Sequence, residues 1–121
     1  MFHSTHVFTG ETIYHRPAQS YTEFTDELNR LQAIQQTFAQ SSITERTTLL
    51  QQFADSLTQN QERLAEMVCE EVGRCLHECR AEISKSIELI RYYVRLAPEL
   101  LAHKTIATQA SLSQVRFEPL G

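Results

Sequence analysis

Cys69, Cys75 and Cys79, with His77 between the last two, are the densest group of nucleophilic and metal-ligating side chains in this 121-residue sequence. Thiolates and imidazoles are the ligands of structural zinc, in tetrahedral sets with short characteristic spacings. On a continuous helix Cys75 and Cys79 share a face while His77 points roughly 200° of rotation from Cys75, so the four groups converge only if the helix breaks. Small thiols packed along a helix meet the spacing better than a zinc site does. A nucleophilic cysteine would also need a basic partner and an oxyanion pocket, and nothing in the sequence ties His15, His77 or His103 to a thiol. Glu70, Glu71, Glu78 and Glu82 could pair for acid-base work, yet glutamates at helical spacing more often form a solvated face. Tyr92 and Tyr93 beside Arg91 could stack on a ring, but their spacing is that of a helix interface. The residues themselves therefore assign no catalytic, cofactor-binding or metal-binding position.

Composition narrows the class. The chain is 41% hydrophobic and 21% charged, the profile of an ordinary globular domain. A chain of this size can hide roughly two thirds of its unfolded surface if its apolar positions face one another. With only three Gly and three Pro, few positions can support phosphate-cradling loops, and a long helical middle is favoured. Eleven basic against fifteen acidic residues give a net charge of -4, with the cations scattered, which disfavours nucleic acid as a partner. Met1–Gly10 holds His3 and His6 but no Lys or Arg, unlike a secretory signal or transit peptide. No apolar run approaches the ~20 residues of a membrane-spanning helix. An odd number of cysteines argues for a reducing compartment, so the expected location is cytoplasmic, with no membrane partner.

The elements that would position these residues can be read along the chain. Val7–Arg16 carries a Thr-Gly-Glu turn signal and then the β-favouring Thr12, Ile13 and Tyr14, with Pro17 closing a short strand or hairpin. Ser20 and Glu23 have capping-box spacing, and Tyr21, Phe24, Leu28, Leu31, Ile34 and Phe38 recur at helical steps, predicting a helix over about residues 21–40. Ser42 and Glu45 repeat the box ahead of Leu49, Leu50, Phe53, Ala54 and Leu57. A third helix follows Asn60 as cap and carries Leu64, Met67, Val68 and Val72 to a stop at Gly73. The fourth and longest stripe is Leu76, Cys79, Ile83, Ile87, Ile90, Val94, Ala97 and Leu101, which Pro98 should kink or end. Thr105–Thr108 and Gln114–Phe117 favour extended structure, so a second hairpin is expected. The sequence then stops as though a strand were still running.

The order of segments resembles a known family. Val7-Phe8-Thr9-Gly10-Glu11, Ser42 with Glu45-Arg46, Glu70-Glu71-Val72-Gly73-Arg74, Cys79-Arg80-Ala81-Glu82-Ile83, Arg91-Tyr92-Tyr93, Ala97-Pro98 and Val115-Arg116-Phe117-Glu118-Pro119-Leu120-Gly121 together resemble the N-terminal part of the aldehyde dehydrogenase superfamily. The flavour is closest to its succinate-semialdehyde dehydrogenase-like branch. Two departures stand out: Arg74-Cys75 follows Gly73 where the family has Lys-Pro, and Val7-Phe8 stands where Asn-Pro is usual.

The resemblance implies a mainly α chain with short β-hairpin arms, an N-terminal fragment of the α/β aldehyde dehydrogenase fold whose sheet is largely missing. It divides the chain into an N-terminal strand or hairpin arm (1–19), a four-helix portion of the nucleotide-binding domain (20–103) and the start of an oligomerisation β-arm (104–121). The implied reaction is NAD- or NADP-dependent oxidation of an aldehyde, such as succinate semialdehyde, to a carboxylic acid in a longer homo-oligomeric enzyme. The family's cofactor motifs, catalytic thiol and general base follow the point where this sequence ends. No site residue transfers, Cys69, Cys75 and Cys79 do not occupy the nucleophile's motif, and no cofactor is expected on this chain alone. It is expected to be inactive by itself and to self-associate or dock on the remainder of the enzyme. The rival expectation is a non-catalytic helical interaction protein of the same descent.

Overall fold

Two of the helices start on reciprocal caps formed by residues three apart. A computed structural model describes residues 1–120; Gly121, the last residue of the expected β-arm, lies outside the described residues. Ser20 accepts from the Glu23 N–H while the Glu23 carboxylate accepts from the Ser20 N–H, opening α1 (Tyr21–Phe38). Ser42 and Glu45 do the same for α2 (Ile43–Gln59). Each box satisfies helix-start donors that would otherwise need water. The helix α3 (Gln61–Val72) follows without a capping bond from Asn60, whose side-chain amide instead donates to the Ser56 carbonyl at 2.8 Å. Asn60 thus holds the expected N-cap position of α3, its carbonyl accepting from the Leu64 N–H at 2.9 Å, while its side chain serves the end of α2. Gly73 ends α3 at φ +77°, the left-handed conformation that glycine adopts without a Cβ penalty.

The long α4 (Leu76–Leu100) contains Pro98 in its last turn and runs two residues past it, so the proline accompanies the helix end instead of kinking the helix. A proline so near the C-terminus removes one late ladder bond and leaves the body of the helix intact. Upstream of the helices, β1 (Phe2–Thr5) pairs antiparallel with β2 (Thr12–Arg16), opposing Phe2 with Arg16, His3 with His15 and Ser4 with Tyr14. The residues between them form the turn, including Val7, which the sequence placed within a strand or hairpin segment. After α4, β3 (Lys104–Thr105) pairs with β4 (Gln114–Val115), a hairpin shorter than the extended runs suggested. Among the described residues these two hairpins are the only sheets.

Packing centres on α4, which makes the extensive helix contacts with both α2 and α3. The buried residues are Thr47 and Ala54 of α2, Ala65 of α3, and Cys79 and Ile87 of α4. Small side chains at these crossings let the helix backbones approach closely, but they also make a thin core. Arg91 of α4 reaches Asp55 of α2 at 2.9 Å, and Arg80 of α4 pairs with Glu62 of α3, its Nε donating at 2.8 Å. The first hairpin sits on the end of α3: the Val7 N–H donates to the Glu70 carbonyl at 3.0 Å and the Ser4 hydroxyl to the Glu71 carboxylate at 2.7 Å.

Helix α1 takes part in none of the extensive contacts and buries no residue. Its apolar stripe stays open, with Phe24 50%, Leu31 48% and Ile34 49% exposed. A helix that is amphipathic in sequence is here built without a cover for its apolar face.

Candidate functional site

The sequence candidates can be placed one by one. Cys69 is half-buried on α3, Cys75 is exposed ahead of α4 and Cys79 is buried one turn into α4. Cys75 has extended backbone (φ −61°, ψ 137°) and precedes the helix, so it does not share a helical face with Cys79. The break in the helix that convergence would require is present at Gly73–Cys75. Even so, among the described residues no group of three or more His, Cys, Asp or Glu side chains is placed to hold a metal ion. The Cys79 Sγ lies 4.0 Å from the Arg74 carbonyl. Burial, followed by the neighbouring Cys69, pushes its thiol above the ordinary value. Raised thiols hold their proton, the opposite of what a nucleophile needs.

The carboxylates are engaged in ties that hold the fold. Glu71 accepts from Ser4, and Glu78 and Glu82 flank the Arg74 guanidinium at 3.8 and 2.6 Å. The Glu70 carbonyl anchors Val7. Tyr92 and Tyr93 meet edge to face at 5.4 Å, while Arg91 is drawn away to Asp55 and Thr58. His77 stands exposed on a shallow groove with Arg74, Glu82 and Lys85, and His15 lies on the first hairpin.

His103 lies elsewhere, on the wall of a cleft. This open cleft of about 1290 Å³ is walled by the α1–α2 junction, the end of α4 and residues 116–119. Arg46, in the first turns of α2, lines it together with Arg116 and Glu118. Among the described residues the Arg46 Nε is the one buried side-chain nitrogen or oxygen without a hydrogen-bond partner. The cleft is not legible along the sequence, since three segments far apart in the chain contribute to it. Its lining mixes cations, amides, the Ser41 and Ser42 hydroxyls, His103 and the Glu118 carboxylate.

Two helices packed on α4 and flanked by two hairpins are the frame in which these residues sit. The whole of the chain, residues 1–121, matches the aldehyde dehydrogenase family, and the chain belongs to that family. It is 31% identical over 113 residues to a probable NADP(+) succinate-semialdehyde dehydrogenase of Synechocystis, covering 93% of this chain and 25% of that protein. It is 26% identical over 120 residues to the NADP(+) succinate-semialdehyde dehydrogenase of Deinococcus radiodurans, covering 99% of this chain and 25% of that one. The crystal structure of succinic semialdehyde dehydrogenase from Streptococcus pyogenes, in complex with NADP+, superposes with a TM-score of 0.82 at 19% identity, over 94% of this chain and 25% of that chain. The last likeness shows the fold. This chain spans about a quarter of the length of the curated relatives it matches.

Proposed function

We propose that this chain is the N-terminal part of an NAD- or NADP-dependent aldehyde dehydrogenase that oxidises a carboxylate-bearing aldehyde of the succinate-semialdehyde kind, and that alone it is inactive. In this reading the α1–α4 section is the helical part of the nucleotide-binding domain, residues 1–19 an arm and residues 104–121 the start of an oligomerisation arm. The observation that carries the reading is the uncovered apolar stripe of α1, in a chain that spans a quarter of its relatives. Covering a large apolar side chain fully contributes about 1.5–3 kcal/mol, so Phe24, Leu28, Leu31, Ile34 and Phe38, each about half exposed, leave on the order of 5 kcal/mol unrealised. That is comparable to the whole stability of a small domain. The stripe is better matched to the remaining polypeptide, or to a second copy, than to water.

The residues present do not fit a dinucleotide. Such cofactors place their phosphates on backbone N–H groups at a helix start reached by a glycine turn. Here the starts of α1 and α2 are closed by the carboxylates of Glu23 and Glu45. Where a Cβ would stand on Gly73, the Val7 Cγ1 is already 2.8 Å away. Hydride transfer therefore needs groups beyond these residues. Purified chain mixed with succinate semialdehyde and NADP+ is expected to show no growth of reduced-nicotinamide absorbance, and appreciable turnover by homogeneous protein would refute the reading. If the coding sequence downstream holds nothing related and the chain is monomeric and cooperatively folded, the non-catalytic interaction protein becomes the better description.

A further inference from the structure

The first hairpin brings together two ligating side chains that the dehydrogenase reading does not use. His3 and His15 are directly opposed in the β1–β2 register, which puts their side chains on one face of the ribbon. Their ring centroids are 6.5 Å apart with the planes tilted by 42°, and both residues are exposed. His6 differs: its Nδ1 already accepts from the Phe8 and Thr9 N–H groups in the turn.

We propose that His3 and His15 form a two-imidazole site for a late first-row divalent metal ion, Cu2+ or Zn2+, which clamps the hairpin at its open end. With metal–nitrogen bonds of about 2.0–2.1 Å, two imidazoles on one tetrahedral ion have centroids roughly 5 Å apart. The observed separation must close by only about 1.5 Å from this figure, within reach of side-chain rotation on an exposed surface. Cross-strand pairing has already fixed the backbone, so binding orders little beyond the two rings. Imidazole suits copper and zinc, whereas Mg2+ and Ca2+ take oxygen sets, and copper should bind more tightly than zinc. Water completes the coordination, and the ion joins residues twelve apart across the strand pair that Ser4 and Val7 fasten to α3.

The test uses the intact chain titrated separately with ZnCl2, CuSO4 and MgCl2. Calorimetry gives affinity and stoichiometry, and the zinc titration is followed through the imidazole resonances in NMR spectra. One ion per chain is expected, with the His3 and His15 rings shifting together, copper tighter than zinc and no response to magnesium. His3→Ala and His15→Ala should each weaken binding on the order of tenfold or more, since losing even a partner behind a metal ligand has effects of that size. His77→Ala should leave binding unchanged. Because both residues are exposed the variants should fold, and His3→Asn with His15→Asn, checked by circular dichroism, preserves strand polarity while removing the imidazoles. Undiminished affinity in either alanine variant, or an absence of zinc-dependent shifts in the wild-type rings, would overturn the site.

Discussion

Single residues carry more than their size suggests where the first hairpin meets the helices. Gly73 has φ +77°, and a Cβ there would lie 2.8 Å from the Val7 Cγ1 and 3.3 Å from the Cγ2. Gly73→Ala should therefore lose about 1–2 kcal/mol from the left-handed backbone alone, plus the cost of displacing Val7. Urea unfolding of Gly73→Ala, Val7→Ala and the double variant separates the two parts: Val7→Ala should recover the contact cost and leave the backbone cost. A Gly73→Ala chain as stable as wild type would refute this account of the α3 stop. The thiols give a second prediction at the same scale. Exposed Cys75 should react with a disulfide reagent first, half-buried Cys69 more slowly, and Cys79 last, because burial both shields it and favours its protonated form. Peptide mapping of partly labelled protein checks the order, and early modification of Cys79 would contradict the packing described.

Helices stand or fall on local chemistry plus cover, and only the first can be read from a sequence. Bonding to the Ser42 backbone, then to its side chain, holds the Glu45 carboxyl below the ordinary value, and Ser20 does the same for Glu23. Pairing with Arg80 likewise lowers Glu62. A lowered carboxyl favours the folded state in its charged form, so this stabilisation is complete above the ordinary value of 4.5 and is lost as pH falls through the lowered values. Helical ellipticity should accordingly decline in acid below that point, and Ser42→Ala should cost about 1 kcal/mol at neutral pH; a pH titration by far-ultraviolet circular dichroism that stays flat to strong acid would count against the capping boxes. Ser20 with Glu23, Ser42 with Glu45, and Gly73 were legible because each signal lies within a few residues. Asn60 was legible as the α3 cap position, but the turn of its side-chain amide back to the Ser56 carbonyl was not. Phe2–Thr5 fell within the expected 1–19 strand or hairpin arm without a signal of its own, because that strand exists through its pairing with Thr12–Arg16. The Arg46 cleft was invisible for the same kind of reason, being assembled from segments far apart. The cross-strand opposition of His3 and His15 depends on a register that composition does not reveal.

At the scale of the molecule, periodicity announces that a helix face is apolar but not what covers it. The stripe on α1 has the same pattern as the stripe on α4, yet α4 is packed against two helices and α1 against none to any extent. Stability and association should therefore separate in this chain: α2, α3 and α4 supply the buried core, while on the proposed reading α1 should supply the surface for self-association. Leu31→Glu combined with Ile34→Lys places charges on the stripe without touching Thr47, Ala54, Ala65, Cys79 or Ile87. In sedimentation velocity the wild-type chain is expected to form larger species as concentration rises, and the double variant to remain monomeric over the same range. The thermal midpoint monitored on the α2–α4 section should move by no more than a surface substitution usually causes, about 0.5 kcal/mol in stability. If the chain is part of a longer enzyme, as proposed, the same double variant in the longer protein should be destabilising, because it would press charges into an apolar contact. If the double variant self-associates as strongly as wild type, α1 is not the surface that requires covering; if its core midpoint collapses, α1 belongs to the core after all.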